Sequence, residues 1–325
     1  MSQSVNTVEY NEDELFRFVE EEDMKASEKI IAPRYSYWRS VLRVFFKKKI
    51  NIAMIIFLVM IVLVSFIMPI FWPYDPFENV TNASSFNLKP SAAMEMFGGF
   101  SFKYLLGTGA MGNSILYGIV SSARTSLLLA VICASINMVV GIIVGAVWGY
   151  SKQVDAVMLV IYNIVANIPM ILLIAVLVYV IGSGFWSFIF ALTITGWLGI
   201  AYFFRTQVMI IRDREYSLAS RCLGTPIPRV ISKNILPFLT SVIVTILATE
   251  LPSYISMEVF LSYIGIGLSA SVPSLGRMIQ QAQTGFLTYP WEFWPPVAIA
   301  SAITIILYVL GQNLADASDP RTHMM

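Results

Sequence analysis

Apolar and polar positions are segregated into long blocks along this chain. Six stretches, at 50–71, 126–150, 154–181, 186–204, 235–257 and 294–312, are predominantly apolar. Each is close to or above the roughly 20 residues that cross a hydrocarbon core as a helix. Within lipid the backbone must satisfy its own hydrogen bonds, so the pattern predicts an all-α integral membrane protein with about six transmembrane helices. The first run is too long for a signal-peptide core and has no small-residue cleavage site close behind it, so it is expected to be retained as the first span. Trp72, Tyr74, Trp186, Tyr289, Trp291 and Trp294 stand at the rims of the runs, where amphipathic rings settle at the interface.

The flanking charges orient the spans. Arg34, Arg39, Arg43, Lys47, Lys48 and Lys49 precede the first, and Arg205, Arg212, Arg214, Arg221, Arg229 and Lys233 separate the fourth from the fifth. Lys152 and Arg321 fall on the same side, whereas the opposite loops hold only Lys89, Lys103, Arg124 and Arg277. The positive-inside bias therefore puts both termini and the Arg-rich loop in the cytoplasm. The expected segments are an acidic cytoplasmic tail (1–34), a basic juxtamembrane segment with the first span (35–72), an extracellular loop (73–125), a five-helix core (126–313) carrying a cytoplasmic loop (205–235), and a cytoplasmic tail (314–325). The first tail holds Glu9, Glu12, Asp13, Glu14, Glu20, Glu21, Glu22 and Asp23 beside a short apolar stripe of Leu15, Phe16 and Val19. It reads as a solvated, partly helical tail or as a docking element.

Composition narrows the chemistry. Of 325 residues 57% are hydrophobic and 13% charged, with a formal net charge of +1, so membrane lipid and not nucleic acid is the expected surrounding. The single histidine, His323, lies in the C-terminal tail, which removes most imidazole catalysis and most zinc sites. Neither a Gly-x-x-x-x-Gly-Lys phosphate loop, a His-Glu-x-x-His nor a Gly-x-Ser-x-Gly elbow occurs. Charged residues inside the spans are few, chiefly Asp155 and Glu250. No enzyme constellation is visible, and a proton- or sodium-coupled carrier would need more buried ionisable groups. No cofactor is expected in the chain, and the energy for any transport must come from outside it.

The most informative stretch is Arg212-Asp-Arg-Glu-Tyr-Ser-Leu-Ala-Ser-Arg-Cys-Leu-Gly224. It predicts a short polar helix closed by Gly224, with Pro226 and Pro228 preventing its resumption. Pro237 then falls in the first turn of the fifth span, where its missing N–H costs little. The result is a helical knob held between two spans. On composition alone Arg214, Glu215 and Arg221 could equally be an ordinary solvated loop.

This loop resembles the signature of permeases of binding-protein-dependent ABC importers: Glu-Ala-Ala, three residues, Gly, then Leu-Pro. Ala219, Ser220, Gly224, Leu236 and Pro237 match, while Leu218 stands at the Glu position. Arg214-Glu215-Tyr216 resembles the Arg-Glu-Tyr that precedes the motif in the peptide-importer branch. Glu258-Val-Phe-Leu-Ser-Tyr-Ile-Gly-Ile-Gly267, Val272-Pro-Ser-Leu-Gly-Arg277, Leu106-Gly-Thr108 (with Gly109 in place of an Asp) and the closing stretch from Gly311 to Arg321 resemble further motifs of that branch. Over about residues 35–325 the chain resembles OppC-type oligopeptide permease subunits, nearest the AmiD-like ones of Gram-positive bacteria.

The resemblance implies a type I ABC importer permease in a bacterial plasma membrane. It also implies a second, OppB-like permease, two cytoplasmic ATPases that bind ATP and magnesium, and a lipid-anchored peptide-binding protein outside. Arg214, Glu215, Tyr216, Ala219, Ser220, Arg221, Gly224, Leu236 and Pro237 would then couple to the ATPases. Glu250 is either hydrogen-bonded to a neighbouring helix or lines the pathway. Glu258 either pins the outer loop or touches the binding protein or peptide. Other importer substrates, such as nickel or a glycosyl compound, are the main alternative; an ATP-independent secondary carrier is a remoter one.

Overall fold

The computed structural model describes residues 37–319. The acidic tail, Arg34, Arg321 and His323 lie outside the described residues. By contact the chain divides between Ser40 and Val41, and the second unit holds every candidate span. Among the described residues all regular structure is helical: α1 (Tyr37–Lys47), α2 (Lys49–Phe71), α3 (Pro90–Met96), α4 (Ile115–Tyr150), α5 (Lys152–Ala166), α6 (Met170–Ile181), α7 (Phe185–Arg212), α8 (Glu215–Cys222), α9 (Thr240–Tyr263), α10 (Leu275–Ala282) and α11 (Pro290–Ser318). Five helical stretches, α2, α4, α7, the run ending in α9, and α11, are long and apolar enough to span; α5 with α6 makes a sixth if the bent pair is one span.

Local chemistry explains where these helices depart from the apolar runs. The hydropathy predicts a single third span over 154–181, but the helix breaks by 80° between Ala166 and Met170. Pro169 removes a donor and drives the residue before it out of the α region, so Asn167-Ile168-Pro169 cannot continue α5. The second span begins at Ile115, not near 126, because Ser114 caps it by accepting from the Tyr117 N–H at 3.3 Å. Its added first turns carry Ser121, Ser122, Arg124 and Thr125, which do not read as apolar. At 1.5 Å per residue α4 is roughly 54 Å long and must project beyond the bilayer. The fifth span is preceded by a π segment (Val230–Ile235) and a 3₁₀ turn (Leu236–Leu239), the register slip expected around Pro237. The last helix starts at Pro290, four residues earlier than its apolar run.

The tightest crossing is between α4 and α7. Gly141, Gly145 and Gly149 form a one-sided row on α4, spaced four residues apart. A Cβ on Gly145 would lie 2.5 Å from the Ala201 carbonyl oxygen and 2.6 Å from Phe204 Cβ; one on Gly149 would lie 2.5 Å from the Arg205 carbonyl oxygen. Small residues let two backbones approach where no hydrophobic force separates helix from lipid. Gly311 of α11 makes the matching approach to Ala248 of α9. Near the cytoplasmic ends of α2 and α11, the buried Asn51 accepts from Asn313 Nδ2 at 2.8 Å and donates to the Phe45 carbonyl at 2.8 Å.

The segment between α2 and α4 is folded. Thr108 Oγ1 donates to the Ser85 carbonyl at 2.6 Å, Asn79 Nδ2 to the Gly112 carbonyl at 2.9 Å, and Lys103 pairs with Glu78. Asn113 Nδ2 donates to the Tyr74 hydroxyl at 2.6 Å, and burial pushes that phenol up to about 12.

Gly145→Leu should force α4 and α7 apart and lower stability by about 1–3 kcal/mol. Gly199→Leu, on α7 where a Cβ meets nothing within 4 Å, should cost far less. Apparent melting temperatures of the purified subunit in detergent check the pair; equal shifts would remove the close crossing as a determinant of stability.

Candidate functional site

The cytoplasmic loop is built on the end of α7. Arg212 is buried, and its Nη1 donates to the carbonyls of Gly149 and Tyr150 at 3.0 and 3.4 Å. Those carbonyls belong to the last turn of α4, where a cation complements both the unpaired acceptors and the helix dipole. The same guanidinium grips Asp213 with two bonds, of 2.9 and 3.0 Å, and holds that carboxyl below the usual carboxylate range. Two turns earlier Arg205 makes a two-pronged contact with Asp155 of α5, which also accepts from Trp148 Nε1 at 2.8 Å. Arg205 further stacks over Trp148 and Tyr202. Two arginines of α7 thus fasten α4 and α5 beneath the membrane.

From this anchor projects α8. Glu215 lies in its first turn and Arg221 in its last, the order the helix dipole favours. Gly224 ends it with φ at +77°, and the Gly224 and Thr225 N–H groups close onto the carbonyls of Arg221 and Ser220. Behind the helix Ser217 is buried, Tyr216 rests against the Phe238 ring at 5.2 Å, and Arg221 lies over Tyr150. Arg214, Glu215, Tyr216, Ala219, Arg221 and Gly224, on or beside α8, are exposed and Ser220 is partly buried; Pro237, exposed, and Leu236, partly buried, lie in the 3₁₀ turn before α9. Leu218 and Leu223 also point outward, Leu223 being 86% exposed. The exposed surface of the knob thus combines apolar Leu218 and Leu223 with charged Arg214, Glu215 and Arg221. In the sequence Leu218 stands out only as a departure from the motif, and nothing there singles out Leu223 or the anchoring role of Arg212.

On the outer side Glu258 is completely buried. It accepts from Ser126 of α4 at 2.8 Å and from Ser262 of α9 at 2.9 Å, with Ser274 and the Gly276 N–H as further donors. Ser126 Oγ also accepts from the Leu275 N–H at 3.2 Å. The two outer motifs, Glu258 to Gly267 and Val272 to Arg277, thus meet at one carboxyl. A Cβ on Gly276 would come within 3.0 Å of its oxygen, which is why the N-terminus of α10 can close on it. Glu250, half-buried in α9, bonds to the Tyr254 hydroxyl, which in turn receives Asn137 of α4. Among the described residues no cluster of three His, Cys, Asp or Glu side chains could hold a metal.

Residues 137–324 match the family described as binding-protein-dependent transport system inner membrane component, and residues 36–90 match the N-terminal TM domain of oligopeptide transport permease C. The oligopeptide transport system permease protein AmiD of Streptococcus pneumoniae is 47% identical over 313 residues, 95% of this chain and 98% of the relative. The oligopeptide transport system permease protein OppC of Bacillus subtilis is 30% identical over 91% of this chain and 93% of its own. The dipeptide transport system permease protein DppC of the same organism is 30% identical over 95% and 93%.

Glu258→Ala should strand three hydroxyls and the Gly276 N–H, costing about 2–3 kcal/mol. Glu258→Gln should cost less, and Glu215→Gln, at an exposed position, under about 0.5 kcal/mol. Thermal unfolding of the three variants checks the order; a silent Glu258→Ala would mean the outer knot does not hold the fold.

Proposed function

We infer the function from one premise: the chain belongs to the family of inner-membrane components of binding-protein-dependent transport systems. It is a multi-pass permease of a bacterial plasma membrane, works with an ATPase, a partner permease and a binding protein, and makes or breaks no bond itself. The cargo is oligopeptides. The partner permease is OppB-like, two ATPase subunits bind ATP and magnesium on the cytoplasmic side, and a lipid-anchored peptide-binding protein delivers the cargo outside.

The observation that carries the coupling reading is the knob α8, which exposes apolar Leu218 and Leu223 among charged side chains and is fastened through Arg212 to the end of α4. An isolated solvated loop gains nothing by exposing Leu218 and Leu223 together; a docking surface gains a desolvated centre with a polar rim. ATP-driven closure of the ATPases would push the knob and bias the spans between two packings. The pathway reading rests on α9, where Thr245, Thr249, Ser253 and Ser256 form one exposed face beside Glu250. Lipid-facing positions favour apolar side chains, so a hydroxyl stripe at membrane depth supports a wet or subunit-facing surface.

Gly224→Pro cannot adopt the +77° backbone angle and should abolish uptake with the subunit still in the membrane. Leu223→Asp should do the same and release the ATPases from a mild-detergent pull-down. Normal ATP-driven uptake of a labelled peptide by either, at equal membrane levels, removes the coupling role.

After replacement of the exposed Cys222 and the buried Cys133, single cysteines at Thr249 and Ser253 should react with a membrane-impermeant thiol reagent. Cysteines at Ile56 and Met60 on the exposed apolar surface of α2 should not. Equal inertness at all four positions would place the stripe away from water.

A further inference from the structure

Glu292 is the one charged residue between Tyr289 and Asp316, and it stands in the first turn of α11. It is only 7% exposed, and its Oε1 has no hydrogen-bond partner. Among the described residues it joins no ion pair. Ionised carboxylates are expensive to bury without a counter-charge or donors, and an orphan of this kind calls for an explanation.

Glu292 lines a cavity of about 170 Å³ on the outer side, where the 109–113 turn, the start of α4, α10 and α11 meet. Its polar lining is Glu292, Asn113 and Gln281, and it includes no cationic side chain. Asn113 has already spent its Nδ2 on Tyr74, so its Oδ1 remains as an acceptor. The rest of the wall is apolar or backbone: Ala110, Met111, Met278 and Ala282 among it.

We propose that this cavity is a socket for one protonated amine arriving from the outer side, with Glu292 as its counter-ion. An alkylammonium has three donors to give and a carbon stem to bury. Three side-chain acceptors and an apolar wall match both. A bare metal cation is a poorer match, since calcium takes six or more oxygens and magnesium keeps its waters. The amine has two sources in the importer reading, on which this inference rests: the amino terminus of the peptide cargo, or a lysine of the docked binding protein.

The test uses the complete importer in proteoliposomes, with tetra-alanine and N-acetyl-tetra-alanine as probes. Glu292→Gln removes the charge and keeps the shape; Ala110→Trp fills the cavity and keeps the charge. Each should lower uptake of tetra-alanine by about tenfold or more at wild-type membrane levels. If the acetylated peptide is carried equally by wild type and variants, the amine is the cargo's own. If both peptides fall together, along with ATPase stimulation by the binding protein, the amine is the docked protein's. In that case lysine-acetylated binding protein should bring wild type down to the Glu292→Gln rate and lower that variant no further; any other result overturns the socket. Uptake of tetra-alanine within twofold of wild type by either variant also overturns it, and should Glu292→Gln fail to accumulate, Ala110→Trp decides alone. Absence of ATP-driven uptake in the wild-type importer would instead remove the importer reading.

Discussion

Helices in lipid gain nothing from burying apolar surface against each other, because the surrounding tails are equally apolar. Their association must come from close contact and from polar groups with nowhere else to go. In this subunit the contact is the seam between α4 and α7, where Gly141, Gly145 and Gly149 bring the two backbones together. The polar groups sit near its cytoplasmic end, where Arg205 and Arg212 of α7 reach across to Asp155 and to the last carbonyls of α4. Without the glycine row the arginines would not reach, and without the arginines the end of α4 would keep unpaired carbonyls. The knob at the end of α7 inherits its position from this arrangement.

Two buried carboxyls on the outer side illustrate opposite solutions to the same cost. Glu258 is surrounded by hydroxyls and a helix N-terminus, so it holds α4, α9 and α10 together and has no surface left for a visitor in this conformation. Glu292 lines a cavity and has no donor on Oε1. One acid is spent on structure, and the other is free to meet something from outside.

Much of this was legible in the sequence, and the rest was hidden for identifiable reasons. Apolar run length located the candidate spans, and Gly224 with its flanking prolines the end of α8. The break at Asn167-Ile168-Pro169 was missed because hydropathy continues unchanged through it, although Pro169 marked the place. The first turns of α4 were missed because a helix outside the bilayer need not be apolar. Glu258 was noticed through its motif, but its partner Ser126 lies 132 residues away and carries no signal of the pairing. Glu292 was overlooked among aromatic residues that read as an interfacial belt; its isolation as the one charge in a long apolar stretch was the available clue.

The length of α4 has a mechanical consequence. One end is clamped by Arg212 beside the knob; the other supplies Ile115 to the wall of the outer cavity. A rigid rod of roughly 54 Å amplifies angle into displacement, and a tilt of about 5° about its inner end would carry Ile115 by roughly 5 Å, far more than a packed wall can absorb. If α4 moved as a rigid body, a small rotation at its inner end would reach the outer opening through this single helix.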